Sequence, residues 1–308
     1  MKILLTSTSF QDTPGEHQEL LYGQGFEIDT LRGPLKKEVL LPIVQQYDGI
    51  VCGDDEYDAE VIELAANGKL KVLSKYGIGL DKIDLQAAKK FNIPVTNCPG
   101  VNKVTVAEHV FALLLTFSKN IIEEHTVTQA SKWKRLTGTE LYGKTIGVIG
   151  LGNIGKEVAK RALAFGMQVV GYDKFIDRNF VKEHNIKVAN SFDEVFAKAD
   201  ILSLHVFLDS ETQDLINLKT IAKMKKGVII VNTARGGLID ESDMCAGLRS
   251  GQVGGFLTDV LVEEPMSINH PFLEFDNVII TPHIGSRTFE SVERQGLMAV
   301  NNLLNHLK

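Results

Sequence analysis

The sequence predicts an α/β protein: a doubly wound, six-stranded parallel sheet, plus a second, smaller flavodoxin-like α/β domain that is discontinuous in the chain. Three observations lead there. Short apolar runs alternate with helix-forming stretches along most of the chain, the pattern of parallel sheets covered by helices on both faces. Gly150, Gly152 and Gly155 fall at G-x-G-x-x-G spacing between one such run and a helix. The 308 residues also exceed the ~100–200 usual for one domain.

The glycine-rich unit is the centre of the prediction. Thr145–Ile149 is a short apolar run bounded by glycines, as expected of a strand buried on both faces. Gly150 permits a tight turn, Gly152 lets a pyrophosphate approach the backbone, and Gly155 lets the helix pack closely on the strand. The helix starts near Asn153, so its unpaired N–H groups and positive dipole end face an anion. Ala159, Ala162, Leu163 and Phe165 supply its apolar side. The next strand, Met167–Tyr172, ends at Asp173, 18 residues beyond Gly155. A carboxylate at that distance binds a ribose 2′-hydroxyl and repels a 2′-phosphate, which predicts NAD rather than NADP.

Residues 1–98 alternate without a nucleotide fingerprint. Strands are expected at Ile3–Thr6, Gly49–Cys52, Lys71–Ser74 and Ile93–Thr96, with a weaker one at Phe26–Leu31. Helices are expected at Ala59–Ala66 and Leu85–Phe91. Ligands of such sheets lie beyond the carboxyl ends of the strands. Lys75-Tyr76-Gly77-Ile78-Gly79 lies at one of these ends, and reads either as a carboxylate nest of backbone N–H groups or as a plain strand-to-helix turn. Cys98-Pro99-Gly100 is a natural hinge. It precedes a long helix over Asn102–Asn120 that carries Glu108 and His109, the histidine more in keeping with a structural role. Trp133, the single tryptophan, reads as packing or as a contact to a second subunit.

After the fingerprint, strands are expected at Ile201–His205, Val228–Asn232, Gly255–Asp259 and Val278–Thr281. Helices are expected at Asp193–Lys198, Leu218–Met224 and Glu241–Arg249. The amphipathic helix Arg287–His306 has no strand left to serve, and its return to the first domain is the expectation. The domains are therefore drawn as 1–100 with 285–308, and 101–284.

Composition excludes several classes. A hydrophobic fraction of 44% with 23% charged residues is ordinary for a soluble protein with real cores. The net charge of −6 gives no basic footprint for nucleic acid. Cys52, Cys98 and Cys245 are widely spaced and form no C-x-x-C pair, which suits a reducing cytosol and offers no metal site. No stretch reads as a signal peptide or reaches transmembrane length. A cytoplasmic protein with a small-molecule ligand is expected.

Three residues carry the chemistry. Arg235 follows strand 228–232, Glu264 lies shortly after strand 255–259, and His283 lies just past strand 278–281. All three sit at the same sheet edge, where a nicotinamide would rest. Each alone has a bland account, as a surface ion pair, a solvated acid or a strand cap; the conjunction is what points to a site. A guanidinium holds a carboxylate in bidentate fashion and polarises the neighbouring carbonyl. An imidazole takes a hydroxyl proton and returns it, and an adjacent carboxylate favours its protonated form and orients it. The set fits hydride transfer at a hydroxyl carbon.

With these residues in hand, the chain resembles the D-isomer-specific 2-hydroxyacid dehydrogenase family, which includes D-3-phosphoglycerate dehydrogenases and glyoxylate/hydroxypyruvate reductases. The likeness is carried in family order by KYGIGLDKIDLQAA, NCPGVNKVTVAEH, GKTIGVIGLGNIG, NTARGGLIDE, DVLVEEP and TPHIG. It implies catalytic roles for Arg235, Glu264 and His283. Glu264 is chosen over Glu263 because the family's acid directly precedes the proline. The resemblance also assigns Asn153 and Ile154 to the pyrophosphate, Asp173 to the adenosine ribose, and Thr233 and Asp259 to the nicotinamide side. Ile78 and Gly79 would donate to the substrate carboxylate, with Lys75 the one nearby cation. It further implies a homodimer. A less favoured alternative is a dinucleotide-sensing corepressor of the same fold. The likeness thins at the substrate's far end, where Gly53-Asp54-Asp55-Glu56 places an acidic loop that opposes a phosphate unless its side chains face away. On this reading, a regulatory C-terminal domain like that of longer phosphoglycerate dehydrogenases is not expected.

Overall fold

The computed structural model describes residues 1–307 and divides into two compact units: Met1–Asn102 with the segment from Ser286 onward, and Lys103–Gly285.

The first unit is a five-stranded parallel sheet: β1 (Lys2–Leu5), β2 (Glu27–Thr30), β3 (Gly49–Cys52), β4 (Val72–Lys75) and β5 (Val95–Thr96), in the order β2-β1-β3-β4-β5. Successive strand residues face opposite sides, as the pleat requires. Leu4, Ile50 and Leu73 enter one apolar cluster, while Ile3, Leu5, Val51 and Val72 enter the other. That second cluster is closed by the final helix, Phe289–Leu307, through Val292, Ala299, Val300, Leu303 and Leu307 at helical spacing. Two short helices, Thr8–Asp12 and Glu16–Tyr22, lie where sequence alone suggested none. They are too brief for a periodic pattern to emerge.

The second unit carries seven parallel strands where six were expected. They are β6 (Thr145–Ile149), β7 (Gln168–Tyr172), β8 (Lys187–Val188), β9 (Ile201–Leu204), β10 (Val228–Asn232), β11 (Val253–Thr258) and β12 (Val278–Ile280). Their order is β12-β11-β10-β9-β6-β7-β8. The additional strand, β8, is two exposed residues at the sheet edge, and so carries no run of buried apolar residues to announce it. The long helix, Lys103–Ser118, and the helix Asn153–Ala164 share one apolar cluster with Ile146 and Val148. Ile149, Leu202, Ile230 and Phe256 face the other cluster, with Val195 and Met244 from covering helices.

The chain order reverses between β6 and β9, which places the crevice for a ligand at their carboxyl ends. Beyond the long helix comes a further one, Ile121–Gln129, none of whose residues is buried. Trp133 follows it and is 80% exposed, so its expected packing role within the chain is not found. No single helix among the described residues is long and apolar enough to cross a membrane; one bent pair, Lys103–Ser118 with Ile121–Gln129, passes by length and composition, and its first member is a core helix.

Candidate active site

The turn after β6 is built by steric exclusion. Gly150 stands at φ 95°, and a Cβ there would lie 2.5 Å from the carbonyl oxygen of His205, at the end of the neighbouring β9. A Cβ on Gly155 would lie 1.9 Å from the carbonyl oxygen of Gly150, so this glycine sets how closely the helix approaches its strand. A Cβ on Gly152 would meet nothing within 4 Å. Gly152 is also the N-cap of the helix Asn153–Ala164 and supplies no side-chain cap. The first turn, at Asn153 and Ile154, thus offers its backbone N–H groups to an anion.

Asp173 stands just past β7, beside this turn. Its Oδ2 accepts from the Leu151 amide at 2.7 Å, and its Oδ1 accepts from the Phe175 amide at 2.8 Å. The carboxylate is thereby fixed in place, and each oxygen keeps a lone pair for a hydroxyl. Thr233, on the loop after β10, has a buried hydroxyl oxygen with no hydrogen-bond partner. An orphaned buried hydroxyl calls for a partner from outside the chain. The open face at Gly152, the uncapped helix and Thr233 together fit a bound dinucleotide.

The loops after β10, β11 and β12 are stapled to one another. A Cβ on Gly236 would lie 2.0 Å from the carbonyl carbon of Leu261, so only glycine allows these two loops to pack. The Asp259 amide donates to the Asn232 carbonyl at 3.0 Å, and the His283 amide donates to the Asp259 carbonyl at 2.9 Å. Arg235 sits on the first of these loops. The Asn232 side chain shapes its turn, donating to the Arg235 carbonyl at 2.8 Å and accepting from the Ala234 amide at 3.0 Å. Sequence reasoning passed over Asn232, although an Asn at a strand end is a recognisable turn-former.

Glu264 and His283 meet directly. His283 Nδ1 lies 2.8 Å from Glu264 Oε2, and Glu264 Oε1 accepts from the Leu261 amide at 3.0 Å. Both side chains are about one-third exposed. Glu263 is exposed, and it is Glu264 that makes the contact with His283. His283 adopts φ 54°, in the left-handed region that non-glycine residues seldom occupy.

Asp259 has a place sequence reasoning did not foresee. It is buried, and its Oδ1 accepts from the Thr281 hydroxyl at 2.6 Å and the Ile284 amide at 2.9 Å, while Oδ2 accepts from the Gly285 amide at 2.7 Å. His109 Nε2 stands 2.9 Å from the Thr281 hydroxyl and 3.4 Å from Asp259 Oδ1. Burial pushes the Asp259 carboxyl up, but the hydrogen bonds from His109, Thr281, Ile284 and Gly285 outweigh it and hold it below the usual carboxylate range.

In the first unit, the ammonium of Lys75 is almost fully buried. It donates to the Gly53 carbonyl at 2.5 Å and to Asp54 Oδ1 at 2.6 Å. The acidic loop is likewise engaged by its own unit. The Asp55 carboxylate accepts from the Thr6 hydroxyl and from the Leu35 amide at 2.8 Å, and Glu56 pairs with Lys36 at 2.8 Å. Two of the three acids are thus paired with a lysine and the third is hydrogen-bonded inside the unit, and Lys75, the cation expected to attract a phosphate, is already engaged by Asp54. Gly77, at φ 135°, opens the following turn, and neither the Ile78 nor the Gly79 amide donates to a backbone carbonyl within the described residues. Cys52, Cys98 and Cys245 are buried thiols, and no group of three metal-ligating side chains occurs among the described residues.

Residues 111–285 match the family described as D-isomer specific 2-hydroxyacid dehydrogenase, NAD binding domain. The chain is 39% identical to a D-3-phosphoglycerate dehydrogenase of Archaeoglobus fulgidus over 92% of its own length, but spans only 54% of that longer protein. It is 41% identical to a hydroxypyruvate reductase of Thermotoga maritima, covering 91% of this chain and 92% of that one. Among solved structures, D-lactate dehydrogenase from Aquifex aeolicus complexed with NAD and lactic acid superposes with a TM-score of 0.86 at 31% identity, over 98% of this chain and 94% of that one. The chain belongs to the D-isomer specific 2-hydroxyacid dehydrogenase family, and its second unit contains that family's NAD-binding domain.

Proposed function

We propose that the protein is an NAD-dependent oxidoreductase that interconverts a D-2-hydroxyacid and its 2-oxoacid. The observation that carries this reading is the His283–Glu264 pair at 2.8 Å, set on loops stapled to the one bearing Arg235. When bound, the nicotinamide supplies or accepts the hydride. Gly150, Gly152, Asn153, Ile154 and Gly155 form the turn for its pyrophosphate, Asp173 holds the ribose, and Thr233 and Asp259 belong to the nicotinamide side. Arg235 orients the substrate carboxylate and polarises the carbonyl. His283 donates a proton to the carbonyl oxygen during reduction and takes it back during oxidation. Glu264 accepts from Nδ1, which leaves proton exchange to Nε2 and stabilises the imidazolium. In the first unit, the Ile78 and Gly79 amides are the carboxylate-binding element.

Overall likeness makes phosphoglycerate one substrate candidate. A specific observation favours a second reading, an unphosphorylated acid such as hydroxypyruvate or glyoxylate. Lys75, the cation assigned to the substrate, is only 4% exposed in its side chain and held by Asp54. A cytoplasmic homodimer is part of the same proposal. Ile121, Ile122, Trp133 and Tyr142 leave large apolar surfaces exposed, which supports a contact with a second copy.

The test is a panel of 2-oxoacids, phosphorylated and not, assayed with NADH and NADPH. Turnover with NADH and at least one panel member is expected. Binding of NADH without turnover of any member overturns the enzyme reading.

A further inference from the structure

We infer that His109 is a positioning residue for His283, acting through Thr281 and Asp259. This rests on the proposed proton-carrying role of His283, and it gives a function to a helix histidine that the reaction itself does not use. The left-handed turn at His283 is unfavourable for a side chain with a Cβ, so the surrounding structure has to impose it. The constraint comes from Asp259, which gathers the Thr281 hydroxyl, the Ile284 and Gly285 amides and, through its own carbonyl, the His283 amide.

The place of His109 follows from counting protons. The Thr281 hydroxyl has one, and at 2.6 Å from Asp259 Oδ1 it is donated to that carboxylate. The group 2.9 Å away on the other side, His109 Nε2, is therefore the donor to Thr281. His109 sits on Lys103–Ser118, a helix anchored in the core by Val106, Val110 and Leu114. Through it, a rigid element orients the Thr281 hydroxyl, and the hydroxyl and Asp259 hold the turn. The space around Gly285 is equally tight: a Cβ there would lie 2.8 Å from Asp259 Oδ2 and 3.5 Å from the His109 ring.

The test compares His109→Phe, which fills the space without a donor, with His109→Gln, which retains an N–H. For His109→Phe, kcat for 2-oxoacid reduction should fall about tenfold or more while the NADH Kd stays within about twofold, because a small misplacement of a reacting group is enough to slow chemistry. His109→Gln should recover most of the loss. Equal losses in both variants, or no loss in the phenylalanine variant, would overturn the inference. A crystal structure of His109→Phe reads the geometry without reference to turnover. His283 should leave the left-handed region, and its retention near φ 54° overturns the inference whether or not the enzyme reading stands. Should His109→Phe be insoluble, Thr281→Val cuts the same link from the other side and is judged by the same readouts.

Discussion

The imidazole of His283 stands 2.8 Å from the Glu264 carboxylate across 19 residues of chain, and two different strand ends bring them together. His283→Ala should lower turnover by about 10²-fold or more, the usual worth of a positioned acid–base group, while NADH binding stays close to wild type. Equal loss of both would make His283 structural. Glu264→Gln keeps a hydrogen-bond acceptor but removes the charge that favours imidazolium. Its reductive activity should therefore fade at lower pH than that of the wild type, read from rate profiles across pH 5–9. Superimposable profiles would remove Glu264 from proton transfer.

Two glycines three residues apart should fail in different ways. Gly155→Ala drives a methyl to within 1.9 Å of a backbone carbonyl oxygen, and neither helix nor strand can yield easily. Overpacking of this kind costs about 1–3 kcal/mol or more, so a clear fall in thermal midpoint is expected. Gly152→Ala meets no atom within 4 Å and needs only φ −71°, so its stability should match the wild type. Its NADH affinity should drop, because the methyl occupies the face left open for phosphate. Calorimetry and a fluorescence titration separate the two. A destabilised but binding-competent Gly152→Ala would contradict the reading.

Asp173 organises the glycine turn through the Leu151 amide as well as standing where a ribose is expected. Asp173→Ala should weaken NADH binding and narrow its advantage over NADPH. An unchanged cofactor preference, measured by competition, would place the ribose contact elsewhere.

His205 closes β9 beside the glycine turn, with its Nε2 2.7 Å from the Ser203 hydroxyl. Burial pushes its pKa down to about 3. The folded protein therefore binds this proton less readily than the unfolded chain, whose imidazole titrates near 6.5. The stability contributed by neutral His205 is complete above about pH 6.5, and falls by up to about 1.4 kcal/mol per pH unit on acidification toward the folded value. His205→Gln should flatten the dependence of stability on pH between about 6.5 and 3, measured by denaturant unfolding at several pH values. A parallel dependence in the variant would assign the acid sensitivity to other groups.

Short-range pattern was enough for much of this protein. Alternating apolar runs located the strands because burial on both faces leaves a continuous apolar stretch. Glycine spacing located the turn because local backbone geometry demands it. Positions at strand ends singled out Arg235, Glu264 and His283. The tertiary structure decided which partners the polar side chains found. Lys75 was legible as a cation, but not as one buried against Asp54, 21 residues away. Asp259 was legible as an acid, but not as the clamp of a loop 22–26 residues further on. The strand Lys187–Val188, two exposed residues with no apolar pattern of their own, exists only because β7 offers it an edge. Periodicity is a property of neighbours in the chain. Hydrogen bonds and ion pairs depend on distances across the fold, and a buried charge goes to whichever partner the folded backbone brings within reach.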